Sequence, residues 1–256
     1  DSLVVFNPLL KFQLFFFSIS LHNSTTFFFL SFDNFIIMSA VELIYWPGFS
    51  GRLQPIELLL RAAKVDYTIN NDVPGFIGSS AEPVFACPIL KDGDFVLSQT
   101  VAIVVYLAEK HGFSLDSAQD KAHALMSVLN LADVFTEGFK ARREDDKGEA
   151  FLAADGRLSK WLTLVNGSAA KHGGKFSFGD KLTFVDFFLL NVHLSLVHVF
   201  GDDYKAQASK HEKITSIIKN IRAVPEIAEF IASDKFLPVL PNELQGADIT
   251  AAGRKK

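Results

Sequence analysis

The sequence predicts two units in series, a small mixed α/β sheet layered with helices and then an all-α helical bundle. Three observations carry this reading. Between residues 41 and 111, strand-like apolar runs alternate with stripes of helical period. Asp92-Gly93 lies between two of those runs, a strong hairpin signal. From residue 120 to residue 233 the apolar pattern is helical throughout.

Each element follows from its residues. Val41-Glu42-Leu43-Ile44-Tyr45 reads as a strand. Residues 52–64 read as a helix with Leu53, Ile56, Leu59, Leu60 and Ala63 on one stripe. Glu57 and Arg61 stand four apart on that helix, a favourable spacing for an ion pair. Residues 65–69 form a second strand. Residues 70–86 are rich in Asn, Asp, Pro, Gly and Ser and leave room for one short helical turn. A hairpin spans 88–97, and a helix over 99–111 ends at Gly112 as its C-cap. Strand, helix and strand followed by a hairpin and a helix imply a mixed sheet with helices packed on it. Beyond it the helices are 120–143, 152–165, 184–199, 209–222 and 225–233, the third opened by the capping box Thr183-x-x-Asp186. The domains are therefore 38–114 and 115–245, with a polar tail, 246–256, expected to fray.

Residues 1–37 differ in kind. They hold ten of the 26 phenylalanines and three charges, Asp1, Lys11 and Asp33. A signal peptide needs a basic start, an apolar stretch and a small-residue cleavage site; Lys11 and residues 12–21 supply the first two, without the third. A membrane span needs about 20 apolar residues in a row, and His22-Asn23-Ser24-Thr25-Thr26 interrupts the run. The favoured reading is leader text before a start at Met38, so that this Phe-rich extension lies outside the fold.

Composition limits the function classes. From Met38 roughly 220 residues remain, enough for two domains of about 100 each. A net charge of −4 offers no basic footprint for nucleic acid. The single cysteine, Cys87, leaves no internal disulfide and suits a reducing, cytoplasmic compartment. His193 and His198, five apart, point to different sides of a helix, and both read as solvated or core histidines. With no metal-ligand spacing and no Gly-rich phosphate loop, neither a metal nor a resident cofactor is expected.

Four motifs stand in order: Tyr45-Trp46-Pro47 with Gly51-Arg52; Phe85-x-x-Pro88-Ile-Leu-Lys-Asp-Gly-Asp94; Ser98-Gln99-Thr100; and Gly179-Asp-Lys-Leu-Thr-Phe-Val-Asp186. With these, the chain from Val41 to Pro241 resembles the soluble glutathione S-transferases, of Tyr type. The resemblance implies a thioredoxin-like N-terminal domain, an all-α C-terminal domain and a cytoplasmic homodimer. Glutathione is then a co-substrate, conjugated to small apolar electrophiles in detoxification.

Roles carry over residue by residue. Pro88 fits the family's cis-proline, with the backbone of Cys87 pairing to the cysteinyl part of glutathione. Gln99 and Thr100 would hold the γ-glutamyl carboxylate at a helix N-terminus; an ordinary N-cap is the plainer alternative. Trp46 follows the phenol as in mu-type members and would border glutathione. Asp133 would reach across a dimer to the γ-glutamyl amine, or stand as a solvated helix acid. Tyr45 is the leading catalytic group, with Arg52 assisting as in alpha-type members. Ser50, in a loop one residue longer than in the Tyr types, is the second choice. Phe49, Val134, Phe135 and Gly138 are expected to line the electrophile pocket with the C-terminal segment. The 70–86 segment lacks the Trp and Lys with which mu-type enzymes grip the glycyl carboxylate, and Glu57 stands where an arginine is frequent.

The chemistry asked of this site is modest in ionisation and larger in positioning. A thiol of pKa near 8.5 is about 3% thiolate at pH 7, and lowering it by about two units makes it roughly three-quarters thiolate. Nucleophilicity falls with pKa along a Brønsted slope of about 0.4–0.5, so the net gain is severalfold. The rest comes from holding the electrophile beside sulfur. Two other classes are weighed: a non-catalytic interaction module on the same fold, and a thiol oxidoreductase using Cys87. The latter cysteine precedes a proline instead of opening a helix, so it lacks the dipole that lowers a thiol pKa.

Deleting residues 1–37 is expected to leave both melting temperature and glutathione binding unchanged, as thermal denaturation and titration would report. A marked loss of either would mean that the Phe-rich segment packs against the remainder.

Overall fold

In the unit that holds the four motifs, helices cover a four-stranded sheet. This computed structural model describes residues 18–21, 24–27, 41–143, 147–172 and 174–240. The polar tail, Met38 and most of the Phe-rich segment lie outside the described residues. The chain divides into units 1–38 and 39–256. In the first, β1 (Ser18–Leu21) and β2 (Ser24–Phe27) pair antiparallel from Ser18↔Phe27 to Leu21↔Ser24. All that follows concerns the second.

β3 (Val41–Ile44) is the hub of the sheet. It runs parallel to β4 (Tyr67–Asn70) and antiparallel to β5 (Ile89–Asp92), which continues into β6 (Phe95–Ser98). Both faces of β3 are covered, as its near-continuous apolar text requires. Leu43 packs on α1 (Gln54–Ala62) and α3 (Thr100–His111), while Ile44 joins Ile89 and Val73 on the opposite face. The hairpin turns at Gly93-Asp94, one residue later than the sequence suggests, with Gly93 at φ +66° and Asp92 paired to Phe95. The 70–86 segment holds more than one turn of helix. α2 (Val73–Ser79) is secured by Asp72, whose carboxylate accepts from the Gly75 N–H at 3.0 Å.

The bundle comprises α4 (Ala118–Arg143), α5 (Lys147–Leu152), α6 (Arg157–His172), α7 (Phe184–Ala208), α8 (Glu212–Arg222) and α9 (Pro225–Ala232). Where 152–165 reads as one helix, the chain instead breaks between α5 and α6. A Cβ at Gly156 would stand 2.4 Å from the Ala150 carbonyl oxygen, so that link closes only on glycine. α7 runs on past the expected end at residue 199, kinked at Gly201 (φ +56°). It is long and apolar enough to span a membrane by composition, yet Phe187, Leu190 and Leu196 are buried in the bundle core. Its start is held by Asp186, which accepts from the N–H groups of Thr183 and Ser177, both at 2.8 Å. One hydrophobic core continues from the sheet helices into α4–α9.

α1 is enclosed almost all round, with Leu58 and Glu57 buried as well as Ile56, Leu59 and Leu60 of the expected stripe. That enclosure overturns the expected Glu57–Arg61 ion pair. Glu57 accepts instead from the Tyr67 hydroxyl at 3.0 Å, and the Arg61 guanidinium lies over the rings of Tyr67 and Phe230. Burial, only partly offset by the Tyr67 hydrogen bond and the Arg61 charge, pushes the Glu57 carboxyl up to about 7.

A carboxyl raised on folding contributes stability that is complete below its unfolded pKa near 4.5 and is lost as pH rises through about 7. Glu57→Gln keeps an acceptor for Tyr67 and cannot ionise. Its stability relative to wild type is expected to increase between pH 4.5 and pH 8, by on the order of 3 kcal/mol at about 1.4 kcal/mol per pKa unit. Urea denaturation of both proteins across that range checks this; a difference independent of pH would refute it.

Candidate active site

The sheet register brings three of the four motifs together. Ile44 pairs with Ile89 and Ile89 with Ser98, so Tyr45, Cys87-Pro88 and Gln99-Thr100 meet at one end of the sheet. The Cys87–Pro88 bond is cis. Tyr45 is fixed by its own backbone: its N–H donates to the Asn70 carbonyl at 3.1 Å, and its carbonyl accepts from the Asn71 side chain at 2.9 Å.

The Tyr45 hydroxyl is 3.0 Å from the Arg52 backbone N–H, from which it accepts. The ring is 5% exposed, and burial holds its pKa well above the ordinary phenol range. The phenol therefore stays protonated at neutral pH, with its proton available to donate to a further acceptor. Phe49 meets the ring edge-on at 5.5 Å. Gly51, at φ +40°, leaves room for this approach: a Cβ there would lie 2.6 Å from the Tyr45 oxygen.

Ser50 does not share this position. Its hydroxyl donates toward the carbonyls of Leu237 and Pro238, at 3.1 and 3.2 Å, and accepts from Gln54 at 3.1 Å. It is 1% exposed and tied to the C-terminal segment, which corrects its standing as second catalytic candidate. Asn191 completes the network, donating to the Gly51 carbonyl at 3.2 Å and to Gln54 at 3.1 Å. Val239 accepts from the Gly51 N–H at 3.2 Å, which brings the chain's last described residues against the phenol loop.

A cavity of about 190 Å³ opens beside the phenol, between Phe49 and Arg52 on one side and Phe135, Thr136, Phe139 and Arg143 on the other. Arg52 spans it, with Nη2 donating to Thr136 at 3.1 Å and the guanidinium 5.3 Å from the Phe135 ring centre. Phe49 and Phe135 both line it. Val134 and Gly138 do not. Both are buried toward the bundle, and a Cβ at Gly138 would come within 2.7 Å of Leu196 on α7. Helical spacing explains the split, since Leu131, Val134, Gly138 and Ala141 make the buried face of α4 and residues 135, 139 and 143 the neighbouring one.

Arg52 and Phe135 also border a second, smaller cavity of about 40 Å³, with Gln99, Thr100 and Asn191 on its wall. Gln99 sits at φ +75° and makes no side-chain cap bond, so the plain N-cap alternative is not what this segment does. The Thr100 hydroxyl, 8% exposed, donates to the Arg52 carbonyl at 3.2 Å and ties α3 to the phenol loop. Trp46 is 40% exposed beside the site. Cys87 is half-buried, and burial pushes its thiol up to about 11, which disfavours it as a nucleophile. Asp133 is exposed on α4 and is not among the residues lining either cavity. Sequence reasoning missed Phe139 and Arg143, although they follow Phe135 at i+4 and i+8. It also missed Asn191, whose signal is an amide inside the apolar run 184–199.

Comparison with known proteins finds similarity to one family. Residues 132–234 match the family model "Glutathione S-transferase, C-terminal domain". Glutathione S-transferase P 1 of Xenopus laevis is 28% identical over 209 residues, covering 77% of this chain and 94% of that protein. Glutathione S-transferase alpha-1 of Rattus norvegicus is 23% identical over 229 residues, covering 82% and 97%. Among solved structures, a Pi-class glutathione S-transferase of Onchocerca volvulus superposes with a TM-score of 0.66 at 18% identity, covering 79% of this chain and 98% of that one. That likeness is one of fold: a thioredoxin-like sheet unit followed by an all-α unit.

Gly51→Ala is expected to destabilise the protein by about 1–3 kcal/mol, because it adds a positive-φ side chain against the phenol. In a Tyr45→Phe background the cost is expected to be smaller by roughly 1 kcal/mol, since the clashing oxygen is gone. Denaturation of the two single variants and the double variant measures this coupling. Strict additivity would show that the hydroxyl does not limit the site.

Proposed function

We infer that this chain, which belongs to the soluble glutathione S-transferase family, conjugates the thiol of glutathione to apolar electrophiles. The observation that carries the inference is the protonated Tyr45 hydroxyl, held by the Arg52 N–H beside an aromatic-walled cavity and next to the N-terminus of α3. Glutathione is the co-substrate. Its γ-glutamyl carboxylate lies at Gln99-Thr100, its cysteinyl part along Cys87-Pro88, and its sulfur at the phenol, with Trp46 flanking it. No resident cofactor takes part.

The step is a displacement or addition at an electrophilic carbon. Because its pKa is raised, Tyr45 acts as a hydrogen-bond donor to the forming thiolate and not as its base, so the thiol proton leaves to solvent. Where the electrophile is an aryl chloride, the C–S bond forms as chloride departs with the C–Cl electron pair. Arg52 adds positive charge near sulfur, and the aromatic walls hold the ring in reach.

We further propose that the chain works as a homodimer in the cytoplasm, in a detoxifying role. Phe85, 94% exposed two residues before Cys87, is a large apolar side chain suited to burial against a second copy. The exposed Asp133 then reaches the partner's γ-glutamyl amine. Sedimentation should find a dimer for the wild type and a monomer, or a weaker dimer, for Phe85→Ser.

Tyr45→Phe decides the chemistry. Losing a hydrogen bond to a charged group, worth about 1.5–3 kcal/mol, is expected to cut conjugation of 1-chloro-2,4-dinitrobenzene near pH 7 by roughly ten- to a hundredfold. Much of the rate should return at pH 9, above the unaided thiol pKa of about 8.5. Ser50→Ala is expected to lower stability without moving the pH profile. Should Ser50→Ala abolish turnover while Tyr45→Phe spares it, the assignment fails. Glutathione binding without conjugation would favour the interaction module.

A further inference from the structure

The cavity beside the phenol is aromatic but not electrically neutral. One wall is a single face of α4, with Phe135, Phe139 and Arg143 four residues apart in turn; the other is Tyr45, Phe49 and Arg52. Phe135 and Phe139 lie 4.5 Å apart, inclined at 38°, and present ring surface toward Arg52 and Phe49. Two guanidinium groups border this space, and among its described lining residues there is no carboxylate. The pair is conspicuous in a chain whose formal net charge is −4.

The arginines hold different stations. Arg52 lies over Phe135, bonded to Thr136, beside the backbone that serves the phenol. Arg143 is one further turn along α4, its Nε donating to the Phe139 carbonyl at 3.3 Å near the helix C-terminus. That bond orients the planar fork, and a guanidinium offers five N–H donors in all. A volume of about 190 Å³ suits one substituted ring, since a cavity of about 150 Å³ accepts benzene.

Resting on the conjugation reading above, we propose that this site selects single-ring aromatic electrophiles that carry a carboxylate, with Arg143 as the specificity-determining residue. The ring occupies the space between Phe49 and the Phe135–Phe139 pair, its reacting carbon toward Tyr45. The carboxylate meets the exposed Arg143, where guanidinium geometry favours bidentate binding. The carboxylate is unchanged in the reaction; a C–S bond forms, the C–Cl bond breaks, and chloride leaves with its electrons.

The test compares 4-chloro-3,5-dinitrobenzoate with neutral 1-chloro-2,4-dinitrobenzene, each kcat/KM divided by the uncatalysed rate with glutathione. In the wild type the benzoate is expected to show at least a tenfold larger enhancement, shrinking as salt is raised. Arg143→Gln should bring the ratio close to one, and Arg143→Lys should retain part of it. Equal enhancements in the wild type, or a ratio that Arg143→Gln leaves intact, overturn the proposal. A second measurement separates it from the conjugation reading. If neither chloride is turned over, that reading fails, and calorimetric binding of 3,5-dinitrobenzoate against 1,3-dinitrobenzene decides. An Arg143-dependent preference for the benzoate sustains the site, and equal binding refutes it.

Discussion

A hydrogen is all that fits at Gly51 beneath the Tyr45 hydroxyl, and the rest of the site is arranged around that fact. The phenol oxygen sits 3.0 Å from the Arg52 N–H because the chain passes under it at φ +40° without a side chain. The same turn directs the Arg52 side chain to the Phe135–Thr136 face of α4 and presents the Arg52 carbonyl to Thr100. A single backbone conformation thus joins the sheet, the N-terminus of α3 and the bundle. It is held there by the polar chain Ser50–Gln54–Asn191 and by the segment 237–239, so α7 and the C-terminal segment both bear on where the phenol stands.

Buried polarity follows one logic across the molecule. Asn191, Gln54 and Ser50 are nearly inaccessible, and each finds a partner in another of the three or in the phenol loop and C-terminal segment. Such a network fixes one arrangement, because any other leaves amide or hydroxyl groups unpaired out of water. Asp186 does the same at the head of α7, gathering the N–H groups of Ser177 and Thr183. Arg61 Nε, His111 Nε2, Ser177 Oγ and His198 Nε2 are buried without a hydrogen-bond partner among the described residues, and Glu57 is poorly matched. Its one hydrogen bond, from Tyr67, does not compensate the loss of water, and its acidity is weakened accordingly.

The sequence made the sheet unit and the capping box legible because their signals are local. Alternation at 41–45, the hairpin turn and Thr183-x-x-Asp186 each depend on a few adjacent residues. Tyr45, Arg52, Cys87-Pro88 and Gln99-Thr100 could be gathered only through the resemblance, which supplied an order that strand register then makes physical. Errors arose where the deciding partner is remote. Ser50 reads as a loop hydroxyl until the carbonyls of residues 237 and 238, 187 and 188 positions along the chain, accept its hydrogen bond. Arg61 reads as a partner for Glu57 until the aromatic rings of β4 and α9 are in place. Val134 and Gly138 share the apolar character of a pocket wall, and only the approach of Leu196 distinguishes close helix packing from open space.

The electrostatics of the site make the phenol a donor and give the charge to the arginines. In the proposed conjugation, a phenol raised by burial would not remove a thiol proton at neutral pH but would hold the thiolate that remains. Stabilising that anion requires positive charge that does not itself titrate, and a guanidinium meets the condition where a lysine or histidine would not. Arg52 occupies this position with its side chain already committed to Thr136 and the Phe135 face, so little of its freedom remains to be lost on binding. Arg143 lies farther along the same wall, where positive charge can act on the electrophile instead of the sulfur.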